Sequence, residues 1–136
     1  MDEELCFVLN GVPVYLEKVL VTFNDVPIFF ICKDTQNHHY VAILVSNDLS
    51  SYYVTMPSDE KIYEMLVGKT PMRDIYVYAE WYWMVFSKDK PQNDSVWYIS
   101  GNSINKAVLP QLNAVYKPVT EEDKKYIQNF KKEFLK

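Results

Sequence analysis

Toward the end of the stretch Val14 to Phe23, apolar residues fall on every second position, so that Val19, Val21 and Phe23 share one face, the period of a strand. Gly11-Val12-Pro13 punctuates its start, and Asn24-Asp25 ends it with residues that tolerate the backbone of a tight turn. Pro27 to Lys33 then reads as a short, nearly continuous apolar strand. Asp34-Thr35-Gln36-Asn37 marks the next turn, His39 to Ser46 a third strand, Asn47-Asp48 another turn, and Ser51 to Met56 a fourth strand. Parallel neighbours need crossovers of roughly a dozen residues or more, so these short polar turns predict an antiparallel meander.

The period then changes from two to that of a helix. Ser58 is placed to cap it, Asp59 and Glu60 suit its first turn, Ile62, Met65 and Leu66 form its stripe, and Gly68 supplies the stop. Thr70 and Pro71 open a second, short helix with Met72, Ile75, Tyr76 and Ala79 on one side, although Tyr76-Val77-Tyr78 could equally begin a strand. Trp81 to Ser87 and Ser95 to Ser100 predict a hairpin around the polar loop Lys88 to Asp94. Residues 101–119 hold two prolines and little periodicity. The terminal helix is the clearest element: Thr120 caps it, Glu121, Glu122 and Asp123 face the positive end of its dipole, and Lys131, Lys132 and Lys136 lie toward the negative end. Tyr126, Ile127, Phe130 and Phe134 are its apolar stripe.

These elements predict one α+β domain over residues 1–136, an antiparallel meander with helices packed on one face, the C-terminal amphipathic helix among them. A chain of 136 residues, 49% apolar and 24% charged, can bury a core without disulfides or metal. Cys6 and Cys32 lie in apolar runs and read as buried thiols, and a bridge between adjacent strands would also fit. The acidic start Met1-Asp2-Glu3-Glu4 is unlike the basic head of a signal peptide, and no apolar run reaches the length of a membrane span, so a cytoplasmic protein is expected.

Charge and composition narrow the chemistry. With only Gly11, Gly68 and Gly101, a glycine-rich phosphate cradle has nowhere to sit. The net charge of −4 divides into −7 over residues 1–80 and +3 over residues 81–136, and Arg73 is the single arginine among 14 Lys and Arg. An acidic first half with one arginine argues against a conventional nucleic-acid binder. His38 and His39 are neighbours on a strand and point to opposite faces, so they do not converge on one ion, and no set of four ligands exists. Both are read as turn-end surface residues, and neither a metal nor another cofactor is expected. The acids are explained as helix-start and turn residues, none in an apolar setting that would tune it for acid–base work. Together these points predict a protein without catalytic residues.

Aromatic residues make up 15% of the chain, and the densest run is Tyr76 to Phe86. As a strand it would carry Trp81, Trp83 and Val85 on one face and Tyr82, Met84 and Phe86 on the other. Core packing accounts for such a run, and so does an exposed platform, because Tyr, Trp and Met are enriched at binding surfaces. The candidate binding residues are therefore Trp81, Trp83, Tyr78 and Tyr76, with Arg73 either as an anchor for an anionic ligand or as a structural fork at a helix end.

Asp25-Val26-Pro27-Ile28-Phe29-Phe30, Tyr40-Val41-Ala42-Ile43, Tyr52-Tyr53-Val54, Gly68-Lys69 and Met72-Arg73-Asp74-Ile75 carry a resemblance. Over about residues 14 to 80 the chain resembles a bacterial or phage family of small domains of unknown function, with a D-x-P strand entry, a helix and a G-K-x-x-x-R-D element. The resemblance implies a bacterial or phage origin, an α+β fold and no catalytic residues. The expected function is a protein-binding module, such as an inhibitor or accessory factor carried by a mobile element and acting on a host protein complex. The alternative is a small-ligand or nucleotide binder using Arg73 and an aromatic-lined pocket. A protein partner is expected, no membrane, and a homo-oligomer is compatible with either reading.

Overall fold

A computed structural model of the chain describes residues 4–9, 11–45, 51–77, 81–86, 95–100, 110 and 114–135, with Phe23, Trp81, Tyr82, Phe86 and residues 95–100 described by backbone alone. The Asn47-Asp48 turn, the loop after Phe86 and most of residues 101–119 lie outside them. Ten elements follow in order: strands β1 (Leu5–Leu9), β2 (Val12–Phe23), β3 (Val26–Lys33), β4 (His39–Leu44) and β5 (Ser51–Thr55), helices α1 (Asp59–Leu66) and α2 (Asp74–Val77), strands β6 (Trp81–Phe86) and β7 (Ser95–Ser100), and helix α3 (Glu121–Phe134). The strands form one antiparallel sheet in the order of the chain, β1 to β7. This is the expected α+β meander with a seventh strand, β1, added at its leading edge.

The turns explain the meander. Asn24 and Asp25 have φ of 51° and 64°, the left-handed pair that a two-residue hairpin requires, and they set Phe23 opposite Val26. Between β3 and β4, the Asp34 carboxylate accepts from the backbone N–H of Gln36 and of His38, at 2.9 and 3.0 Å, and from the Tyr40 hydroxyl at 3.0 Å. Helix α1 is capped by the Ser58 hydroxyl, which accepts from the Lys61 N–H, and Gly68 follows it at a φ of 78°. Thr120 and Asp123 cap α3 reciprocally, each side chain accepting from the other's backbone N–H. Helix α2 starts later than Thr70-Pro71 predicts: Asp74 and Ile75 donate to Pro71 and Met72 three residues back, in tighter turns, and the first bond of α-helical span runs from Val77 to Arg73.

Both faces of the sheet are buried. Phe29, Ile31, Val41, Ile43 and Tyr53 face one way and meet Ile62, Met65 and Leu66 of α1, Ile75 and Tyr76 of α2, and Ile127 and Phe130 of α3. Phe30, Cys32, Tyr40, Ala42 and Val54 face the other way and meet Phe7, Leu9, Val14, Trp83 and Val85, all from strands. A sheet can cover one of its own faces only by curling. The Phe7 and Tyr52 rings meet edge to face at 5.0 Å, although β1 and β5 would stand roughly 19 Å apart in a flat sheet. Register shifts supply the curvature, one in β1 between Leu5 and Phe7 and three against β3 along β2, since each extra residue bends its strand and sharpens the twist. The helices cover the convex face and the strands fill the concave one.

Phe130 is 2% exposed and sits in the convex core. Phe130→Ala should therefore destabilise the protein by about 3–5 kcal/mol, measured as a shift in urea unfolding. An unmoved midpoint would mean that α3 is not docked in solution.

Candidate functional site

Polar chemistry in the described structure concentrates where α3 crosses the sheet. The bulge in β2 between Leu16 and Lys18 turns Glu17 and Lys18 to the same convex side, while Leu16 stays with the concave core. Lys18 pairs with Asp123 in the first turn of α3. Glu17 points at His39, the first residue of β4, whose side chain is 0% exposed. The His39 Nε2 lies 3.0 Å from a Glu17 carboxylate oxygen, an ion-pair approach rather than an aligned hydrogen bond. Its Nδ1 lies 3.1 Å from the carboxylate of Asp59, the first residue of α1. Tyr126 of α3 donates to Glu17 at 2.7 Å, and the Lys33 ammonium stands 3.3 Å from the second Glu17 oxygen. Phe134 and Phe130 close the site, their ring centroids 4.5 and 5.0 Å from the imidazole.

Electrostatics in the clasp run against burial. Burial alone would push the Glu17 carboxyl up, but His39, Tyr126 and Lys33 outweigh it and hold the group down at about 2. Burial would likewise push the imidazole down, and Glu17 and Asp59 reverse that, leaving His39 raised above 6.5. Burial, and then the Glu17 charge, push the Tyr126 hydroxyl far up, so it serves as a donor and not as a nucleophile. Glu17 and Asp59 approach opposite ring nitrogens, which keeps them from converging on one ion. Among the described residues no group of three or more His, Cys, Asp or Glu is arranged to hold a metal. The arrangement favours the protonated imidazole and ties β2, β3, β4, α1 and α3 together.

His39 is thus not the turn-end surface residue that the sequence suggested. Its neighbour His38 is, with a side chain 57% exposed and bonded to Asp34 at 3.0 Å. Glu17 is neither a helix-start nor a turn residue, but its partners hold it down at about 2, so burial does not raise it for acid–base work. The one sequence signal available was alternation, which sends two adjacent histidines to opposite faces.

The aromatic candidates separate. Tyr76 is fully buried, with its hydroxyl between the backbone oxygens of Val41 at 2.7 Å and Tyr53 at 3.2 Å, so it pins α2 to the sheet. Trp83 is 6% exposed and packs on Tyr40 with ring centroids 5.7 Å apart. Both are core residues, Tyr76 on the convex side and Trp83 on the concave, so the sheet keeps them from lining one pocket. Arg73 is half-buried just ahead of α2, and its carbonyl accepts from Tyr76 and Val77. Tyr78 lies outside the described residues, as does the Trp81 side chain. No helix of the described structure is long and apolar enough to cross a membrane.

A second feature lies at the open end of the concave face. Glu4, Leu5, Cys6 and Phe7 meet Val26, Pro27 and Tyr52 around a half-open groove of about 190 Å³. Cys6 and Cys32 are both free thiols. Comparison with protein-family models, curated proteins and solved structures returned no match.

Glu17→Ala leaves the His39 cation with Asp59 alone and should cost about 3–5 kcal/mol at neutral pH, the range for breaking a buried pair from one side. Glu17→Gln keeps an acceptor and should cost less. Because the Glu17 pKa is depressed, its contribution is present above 4.5 and is lost as pH falls toward about 2. The stability gap between the wild type and Glu17→Gln should close over that window in urea titrations. A gap that stays constant would show that the carboxylate is not engaged.

Proposed function

We propose that the chain is a non-enzymatic protein-binding module that takes an extended segment of its partner along β1. The groove beside that strand carries the reading. β1 is the leading edge of the sheet and pairs only with β2 among the described residues. Its sequence Leu5-Cys6-Phe7-Val8-Leu9 contains neither Lys nor Pro, the residues that commonly blunt an edge. An added strand gains main-chain hydrogen bonds from such an edge and specificity from side chains that enter pockets beside it.

The size of the groove favours a side chain over a small molecule. At about 190 Å³ it falls below the roughly 300–1,000 Å³ of small-ligand pockets and suits one or two apolar side chains. Glu4 stands on the rim, and among the described residues no cation lines the groove, so the fitting segment carries an apolar residue next to a Lys or Arg. The sealed, charge-balanced clasp supports a non-enzymatic reading, since its imidazole is spent on holding the fold.

The double variant Leu5→Asp and Glu4→Lys tests the proposal in affinity capture from source-cell extract. It should lose at least about tenfold of the captured partner while keeping the wild-type thermal midpoint, as an interface truncation does. Capture equal to that of the wild type would overturn the groove as the binding surface. A small molecule retained in native mass spectra, and lost in the same variant, would favour ligand binding instead.

A further inference from the structure

The clasp is assembled from four elements, and α3 depends on it more than any other. Glu17 comes from β2, Lys33 from β3, Asp59 from the start of α1, and His39 itself from β4. From α3, Tyr126 shares the Glu17 carboxylate, and Phe130 and Phe134 rest on the imidazole ring. Three of the four residues in the apolar stripe of α3 are therefore seated on the clasp.

The geometry demands a cation. A carboxylate stands within 3.1 Å of each ring nitrogen, and a neutral imidazole has only one N–H to offer. Its other nitrogen, on a ring that is itself fully buried, would turn a lone pair toward a carboxylate. With the ring protonated, His39 and Lys33 balance Glu17 and Asp59. Without that proton, the set carries one uncompensated negative charge under two phenylalanine rings.

We propose that His39 is a proton-operated latch for α3, holding the helix on the convex face when protonated and releasing it when neutral. The other polar anchor of the helix stays fixed over the same range, because Lys18 holds the Asp123 carboxyl well below the usual carboxylate range. Release therefore begins beyond the first turn, with residues 121–123 still tethered. Glu17, ionised down to about 2, does not titrate in this window either. The sign follows from the raised imidazole: its contribution is complete below 6.5 and is lost as pH rises through the higher value it has in the folded protein.

Amide hydrogen exchange across α3 in the full chain, between about pH 6 and 9 and corrected for the intrinsic rate at each pH, tests the latch. Protection of residues 124–134 should fall about tenfold or more relative to Ile31 and Val41. The midpoint should coincide with the titration of the His39 ring proton followed by NMR. His39→Gln cannot take up a proton and should show no such midpoint, while Tyr126→Phe keeps the imidazole and should retain it. A His39 resonance titrating at or below 6.5 would overturn the proposal, as would the same pH dependence in His39→Gln. Should that variant not fold, the two wild-type midpoints decide, and their disagreement would sink the latch.

Discussion

A sheet covered on both faces leaves its central strands no solvent to spend a charge on. From Phe29 to Cys32 and from His39 to Ile43, every side chain is buried, and His39 is the one basic side chain among them. Such a group is tolerated only when its charge is matched at close range, because an unpaired buried ion costs several kcal/mol. The placement of Glu17, Asp59, Lys33 and Tyr126 follows from that single requirement. The bulge in β2 has a reason in the same terms, since without it Glu17 and Lys18 would face opposite sides and one of them would miss α3.

Local chemistry made much of the fold readable. The Asn24-Asp25 hairpin, the Asp34 turn, the Ser58 and Thr120 caps and the Gly68 stop all rest on contacts within four residues, which is the range a single sequence displays. The strand β1 went unread because Leu5 to Leu9 shows no alternation, and only Asn10-Gly11 between two apolar runs signals the hairpin there. A run that is apolar on both faces has no polar side to mark its orientation, which is why the Trp83 face could be read two ways. Glu17 was beyond reach for another reason. Its partner Tyr126 is 109 positions away, and a bulge decides which way its side chain turns.

The aromatic excess has a structural use that a count of residues does not reveal. Phe7, Phe30, Tyr40, Tyr52 and Trp83 fill the concave side, where, among the described residues, no helix packs and side chains from neighbouring strands span the space themselves. Large rings do that with the fewest residues and gain from edge contacts such as the Phe7–Tyr52 pair. Phe29 and Tyr76 meet in the same way on the convex side, at 6.3 Å and 84°. Much of the aromatic content is thus packing, which leaves the groove beside β1, and not a platform at Trp83, as the proposed binding surface.

The two faces differ in how they would respond to loss of a helix. Among the described residues the concave core is built from strands alone, so removing α3 takes none of them from it. The convex core would lose Ile127 and Phe130 but keep Ile62, Met65 and Leu66 of α1, and Tyr76 would still be held by Val41 and Tyr53. Loosening of α3 is therefore a local opening and not a route to global unfolding, in keeping with proteins that open in units well below their total stability. The seven-stranded scaffold, and with it the groove at Glu4 and Tyr52, would persist through such an opening. The proposed binding at the mouth and the proposed release of the helix would then be separable, with β3 between them: Ile31 joins the convex core that α3 covers and its neighbour Cys32 the concave core.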